Sequence, residues 1–151
     1  MRYLRWFLIL CLAVSLEATY LSNRSLTTAA FNVNAGVTAT DGSGYTAVVV
    51  NVKSKPEYCR VYFKFNNGGA GAANTLQFTL GVSYDGTNFE TTSDLFFEIA
   101  TNADADGSNN VIKSYRIALE GAKDIKLIKV YNSDGVNNVT AVTVNIVFPR
   151  F

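Results

Sequence analysis

The chain has no histidine among its 151 residues. That removes the side chain that most often moves protons near neutral pH, so Ser-His-Asp and Cys-His machinery are excluded. The common zinc sites lose their main nitrogen ligand as well. Charge is scarce: 17% of residues are charged and the net charge is +1. Such a balance gives no bulk attraction to nucleic acid or to an anionic membrane, and no nucleic-acid partner is expected. Cysteine is limited to Cys11 and Cys59. The one long apolar run lies near the N-terminus, and nothing after it sustains a helical period.

That run belongs to "MRYLRWFLILCLAVSLEA". Arg2 and Arg5 form a small basic region, Trp6 to Val14 are uninterrupted apolar residues, and Ala13, Ser15 and Ala18 are small. This is the layout of a secretory signal peptide; a buried or partner-bound N-terminal helix is the other reading. The apolar run is too short for a stable membrane span, which needs about 20 residues. The expected organisation is residues 1–18 as a signal or apolar segment and 19–151 as one domain, extracytoplasmic or part of a virion. If Cys11 leaves with the segment, Cys59 is alone and reads as a small buried hydrophobe.

What the sequence does have is alternation. In "YCRVYFKF", Cys59, Val61, Phe63 and Phe65 face one way, and Tyr58, Arg60, Tyr62 and Lys64 the other. In "TLQFTLGVSY", Leu76, Phe78, Leu80 and Val82 share a face, and near the C-terminus Val142, Val144, Ile146 and Phe148 do the same. Period-two patterning marks strands with one buried face. "DIKLIKVY" changes phase near Leu127, as a β-bulge would make it do. Turn clusters such as "DGSG", "YDG", "EGAKD" and "NSDGVNN" separate the runs. The Gly/Ala-rich segment 66–74 reads as a flexible hairpin connection. The fold expected is all-β, an antiparallel β-sandwich or jelly roll of seven to eight strands. With ten Phe and eight Tyr the composition suits pleated, half-buried surfaces.

Four features carry chemistry. Asn102, Asp104 and Asp106, followed by Gly107, keep the early phase of a calcium loop, although position twelve is Lys113 and not a bidentate Glu. Asp and Asn also populate plain solvated turns, because they cap their own backbone. The stripe Tyr58, Arg60, Tyr62, Lys64 offers rings and positive charge to sugars or anionic groups, or serves as an ordinary solvated strand face. Glu98 inside "LFFEIA" is a strand carboxylate, read by default as lying on the wet side of an edge strand. Asn23-Arg24-Ser25 and Asn138-Val139-Thr140 match the N-glycosylation acceptor pattern. No constellation of catalytic residues emerges, and the chain is read as a non-enzyme.

Two segments carry a resemblance. "LQFTLGVSYDGTNFETTSD" resembles the strand–S-x-D-G-x-N-F–strand hairpin of small β-sandwich modules in tailed-phage virion proteins. "IALEGAKDIKLIKVYNSDGVNNVTAVTVNIVF" resembles the later part of those modules, where a G-A-K turn leads into two closing strands. Together the likeness runs from about Tyr45 to Phe148. It implies a structural or attachment role, such as capsid decoration or a tail component, and it implies no catalytic residues. The leading expectation is thus a non-enzymatic structural or surface-interaction protein that associates with itself or with other structural proteins. The alternatives are a secreted carbohydrate-binding module, calcium-assisted at 102–107, and a small outer-membrane β-barrel. In the hairpin itself, Asp85-Gly86 supplies the reversal and Phe89 is expected to return to the core.

Overall fold

Eleven β-strands run through the residues that the computed structural model describes, 25–47, 49–52, 57–67, 74–92, 95–101 and 109–148. They are β1 (Ser25–Thr27), β2 (Phe31–Val33), β3 (Thr38–Asp41), β4 (Gly44–Tyr45), β5 (Val50–Asn51) and β6 (Tyr58–Asn66), then β7 (Thr75–Ser83), β8 (Phe96–Ala100), β9 (Asn110–Ala118), β10 (Asp124–Asn132) and β11 (Val139–Val147). The N-terminal segment 1–18, most of the Gly/Ala-rich connection and the candidate calcium residues Asn102, Asp104 and Asp106 lie outside the described residues.

One sheet has the order β1-β11-β6-β9, with β2 also on β11; the other runs β4-β3-β10-β7-β8, with β5 also on β10. Every pairing is antiparallel except β3 with β4. β1 and β2 lie end to end along β11, with Leu26 opposite Ile146 and Val33 opposite Val139. β3 and β5 share the edge of β10 in the same way. Counting each such pair as one interrupted strand, and setting β4 aside, leaves the lanes of a jelly roll. The first lane lies beside the last, the second beside the seventh, the third beside the sixth and the fourth beside the fifth. The expected seven to eight strands are these lanes. The extra segments arise where edges are interrupted, as at Thr28, which donates its N–H to Val144 O (3.1 Å) and accepts the Val144 N–H on Oγ1 (2.9 Å).

Alternation becomes packing between the two sheets. Cys59, Val61, Phe63 and Phe65 of β6 are fully buried against Leu76, Phe78 and Leu80 of β7 and Ile125, Leu127 and Val130 of β10. Phe63 sits among Phe78 (4.3 Å between ring centroids), Phe97 (5.2 Å) and Tyr115 (5.9 Å), so one side chain joins four strands of both sheets. Two separate sheets over a packed apolar interior are a sandwich and not one closed circuit, so the barrel alternative is not the architecture.

Two irregularities set the phase. In β10 the register with β7 shifts between Leu127 and Lys129, so Leu127 and Val130 both reach the core, as the phase change in the sequence predicts. In β11 the shift falls beside Ala141, whose φ is +52° and whose N–H is taken by Asn32 Oδ1 (3.2 Å). The extra residue keeps Val139 and Val142 both inward. β7 departs from simple alternation, because Thr79, Gly81 and Ser83 are buried too. Ile128 and Glu90 cover that outer side: a Cβ on Gly81 would come 2.9 Å from Ile128 Cδ1 and 3.3 Å from Glu90 O.

Candidate functional site

The outward phase of β6 carries Tyr58, Arg60, Tyr62 and Lys64 on one sheet face, as expected. Register then adds residues that spacing along one strand cannot reveal. Arg60 stands opposite Arg116 of β9 and Val147 of β11; Tyr62 opposite Ser114 and Asn145; Lys64 opposite Ile112 and Thr143. Arg116 lays its guanidinium over the Tyr58 ring at 3.7 Å, and Arg60 Nη1 donates to Ser114 Oγ at 3.1 Å. Tyr62 is 36% exposed and Ile112 61% exposed. The two tyrosines are therefore not equivalent: Tyr58 is covered by an arginine and Tyr62 is open. None of the described residues on the outward phase of β9, β6 or β11 is a carboxylate.

On the opposite sheet Phe96, 43% exposed, and half-buried Tyr131 border a shallow hollow of about 260 Å³ with Gln77, Thr79, Thr38 and Lys129. Glu98 is exposed on β8, the edge strand of this sheet, and accepts hydrogen bonds from Thr75 Oγ1 (2.8 Å) and Gln77 Nε2 (3.1 Å). That is the wet-face position. Elsewhere on the same sheet, Lys126 pairs with Asp41 (3.8 Å) and lies over the Phe89 ring at 4.4 Å. Phe89 is thus half-buried outside the core, contrary to the expectation. The Val82–Glu90 bridge carries the returning chain past the edge of β7, and the ring lands where the Lys126 ammonium can use its face.

The "YDGTNF" hairpin is held by one carboxylate. Asp85 Oδ1 accepts the N–H groups of Thr87 (2.7 Å) and Asn88 (2.8 Å) and the Ser83 hydroxyl (3.0 Å), while Oδ2 accepts Asn88 Nδ2 (2.7 Å). These donors, the Asn88 N–H first, hold the carboxyl well below the usual carboxylate range. Gly86, at φ +89°, gives the reversal read from the sequence. Asp134 organises the β10–β11 connection in the same manner. It accepts from the N–H groups of Asn137 (3.0 Å) and Val136 (2.8 Å) and from Asn137 Nδ2 (3.1 Å), which lowers its pKa to about 2. Both acids are turn staples. Cys59 is buried and its thiol is pushed up to about 12 by desolvation, which makes it an inert packing residue.

Asp134 also serves an exposed feature. The turn it locks presents Val136, 85% exposed, and the β2–β3 connection presents Val37, 46% exposed. The two connections are tied by Gly36 N–H to Asp134 O (2.7 Å) and Ala35 N–H to Asn138 Oδ1 (2.9 Å). The acceptor Asn138 of the second glycosylation pattern is exposed at this end; Asn23 of the first lies outside the described residues.

No protein-family model matches the chain, and no curated protein sequence does. Solved structures are distantly similar in fold. The VP2 subviral particle of infectious bursal disease virus matches 83% of this chain at 14% identity and a TM-score of 0.49. Vertex protein P5 of PRD1 matches 85% at 8% identity and a TM-score of 0.46. The CBM22-1–GH10 modules of Clostridium thermocellum xylanase 10B match 85% at 9% identity and a TM-score of 0.41. The chain spans 98% of P5 but 32% of VP2 and 29% of the xylanase chain.

Arg116, Ser114 and Ile112 were not among the residues singled out by sequence. Their signal was the polar phase of "VIKSYRIAL", but which strand that phase would lie beside is a matter of topology.

Proposed function

We propose that the chain is a non-enzymatic structural or surface-interaction protein, a subunit of a larger assembly in a virion or on an extracytoplasmic surface. The observation that carries this reading is the end of the sandwich where Val37 and Val136 are displayed on cross-tied connections. Exposed apolar side chains on hydrogen-bonded connections give up little backbone freedom when they are covered, which favours association. The fates of the acids agree with a role in presentation: Asp85 and Asp134 are occupied as turn acceptors, and Glu98 sits on a wet edge. Association through the edge of β9 is disfavoured. Lys113 occupies the inward phase there, opposite Phe63, and an inward-pointing charge blocks strand addition. The resemblance to tailed-phage virion modules points the same way, as an analogy of fold. Sedimentation of the purified chain tests the reading: oligomers support it, and a clean monomer at high concentration opposes it.

A second reading, a carbohydrate-binding module, is favoured by one observation, the open Tyr62 ring flanked by cations on a sheet face. Glycan-array screening with and without a chelator tests it. Binding lost on chelation would implicate the 102–107 segment, and no binding to any glycan would remove this reading.

A further inference from the structure

We propose that the outward face of β9, β6 and β11 is a binding site for an acidic polysaccharide, with Arg116, Arg60 and Lys64 as successive cations along the bound chain. The inference rests on the carbohydrate reading and names its ligand class. It starts from an arrangement that a sheet does not favour alone. Arg60 and Arg116 are direct cross-strand partners, and like charges directly opposite destabilise a sheet. No carboxylate among the described residues on this face offsets them, and the one ion pair among the described residues, Lys126–Asp41, lies on the other sheet. A protein of net charge +1 has thus gathered three cations on one face without an acid between them.

Both guanidiniums are already held in place, Arg60 by Ser114 and Arg116 by the Tyr58 ring. Those contacts lead the two guanidiniums apart, Arg116 toward Tyr58 and Arg60 toward Ser114, the cross-strand partner of Tyr62, so each fixed fork offers its own carboxylate or sulfate site and little freedom remains to be lost on binding. Lys64 lies four residues further along β6, about 13 Å away at strand spacing. Between the two positive positions is the exposed ring of Tyr62, with its hydroxyl. The order along the strand is anion site, ring-stacking site, anion site, which matches sugar rings bearing spaced acidic groups. A nucleic-acid strand fits less well, because its binding relies on stacking successive bases on open rings. It would find one open ring for its bases, because the other is taken by Arg116.

The test is calorimetric titration of the full chain with polygalacturonate oligomers, with the same oligomers fully methyl-esterified, and with poly(dT). Salt-sensitive binding of the acidic form alone is expected. R60Q/R116Q should weaken it roughly ten- to a hundredfold, the loss of a charge-assisted pair, while K129Q on the opposite sheet leaves it unchanged. Near-UV circular dichroism checks folding; if the Gln pair does not fold, R60K/R116K keeps the charge, loses the forks and should bind more weakly than the wild type. Equal binding of acidic and esterified oligomers overturns the inference and leaves the carbohydrate reading standing. Binding of neither overturns the inference, and the glycan array then decides the carbohydrate reading. Tighter binding of poly(dT) than of polygalacturonate, or unchanged affinity in the arginine variants, also overturns the inference.

Discussion

Phe63→Ala is the perturbation that most directly probes how the two sheets are joined. The side chain is fully buried and its ring lies 4.3 Å from Phe78, 5.2 Å from Phe97 and 5.9 Å from Tyr115, one neighbour on its own sheet and two on the other. Burying a phenylalanine is worth about 1.5–3 kcal/mol. The cavity left behind adds about 24 cal/mol per Å³, and losses of about 3–5 kcal/mol are usual for Phe→Ala in a core. Three ring neighbours place this site toward the upper end, since each aromatic pair adds about 0.5–1.5 kcal/mol beyond area. Urea unfolding followed by tyrosine fluorescence should show the midpoint falling with little change in slope. Melting should drop by roughly 2–4 °C for each kcal/mol lost. Phe96→Ala, on the wet face of β8, is the control and should cost under about 1 kcal/mol. Equal costs for the two variants, or a loss below about 1.5 kcal/mol at Phe63, would refute the packing argument.

Three other outcomes follow from named contacts. Gly81→Ala should destabilise by about 1–3 kcal/mol, because the new Cβ meets Ile128, and Ile128→Ala should restore part of the loss in a double-mutant cycle. The Asp134 pKa is lowered to about 2, below the unfolded value near 3.9, so its stabilisation is present above about pH 4 and is lost as pH falls toward 2. Acid titration of stability should flatten over that interval in Asp134→Asn. Ala141→Gly should raise stability by about 0.5–1 kcal/mol in urea unfolding, because Ala141 holds a positive φ that glycine adopts without strain.

The fold was legible because period-two patterning is local. Cys59 to Phe65 and Val142 to Ile146 alternate in the sequence as they do in the structure. The bulge near Leu127 was legible for the same reason, as a break in phase. The β11 bulge was not, since "VTAVTV" keeps valines on either count, and only the left-handed Ala141 with its Asn32 partner fixes where the extra residue falls. Phe89 misled because an aromatic after a turn reads as core, and nothing local says that Lys126 will offer its charge to the ring. The candidate face was half legible. The β6 stripe follows from alternation, whereas Arg116, Ser114 and Ile112 come from β9, which enters the sheet more than forty residues later; pairing across that separation is set by how the roll closes. The covering of Tyr58 by Arg116, which leaves Tyr62 as the open ring, likewise depends on register.

The central claim is that this jelly roll works by presenting surfaces within an assembly. Sedimentation velocity of the purified chain and of V37D/V136D, from micromolar to near-millimolar concentration, tests it most directly. The expected result is an oligomer for the wild type and a monomer with unchanged near-UV circular dichroism for the double variant, since two carboxylates would have to be buried at the contact. A wild-type chain that stays monomeric at the highest concentration, or a variant that sediments like the wild type, would contradict the account.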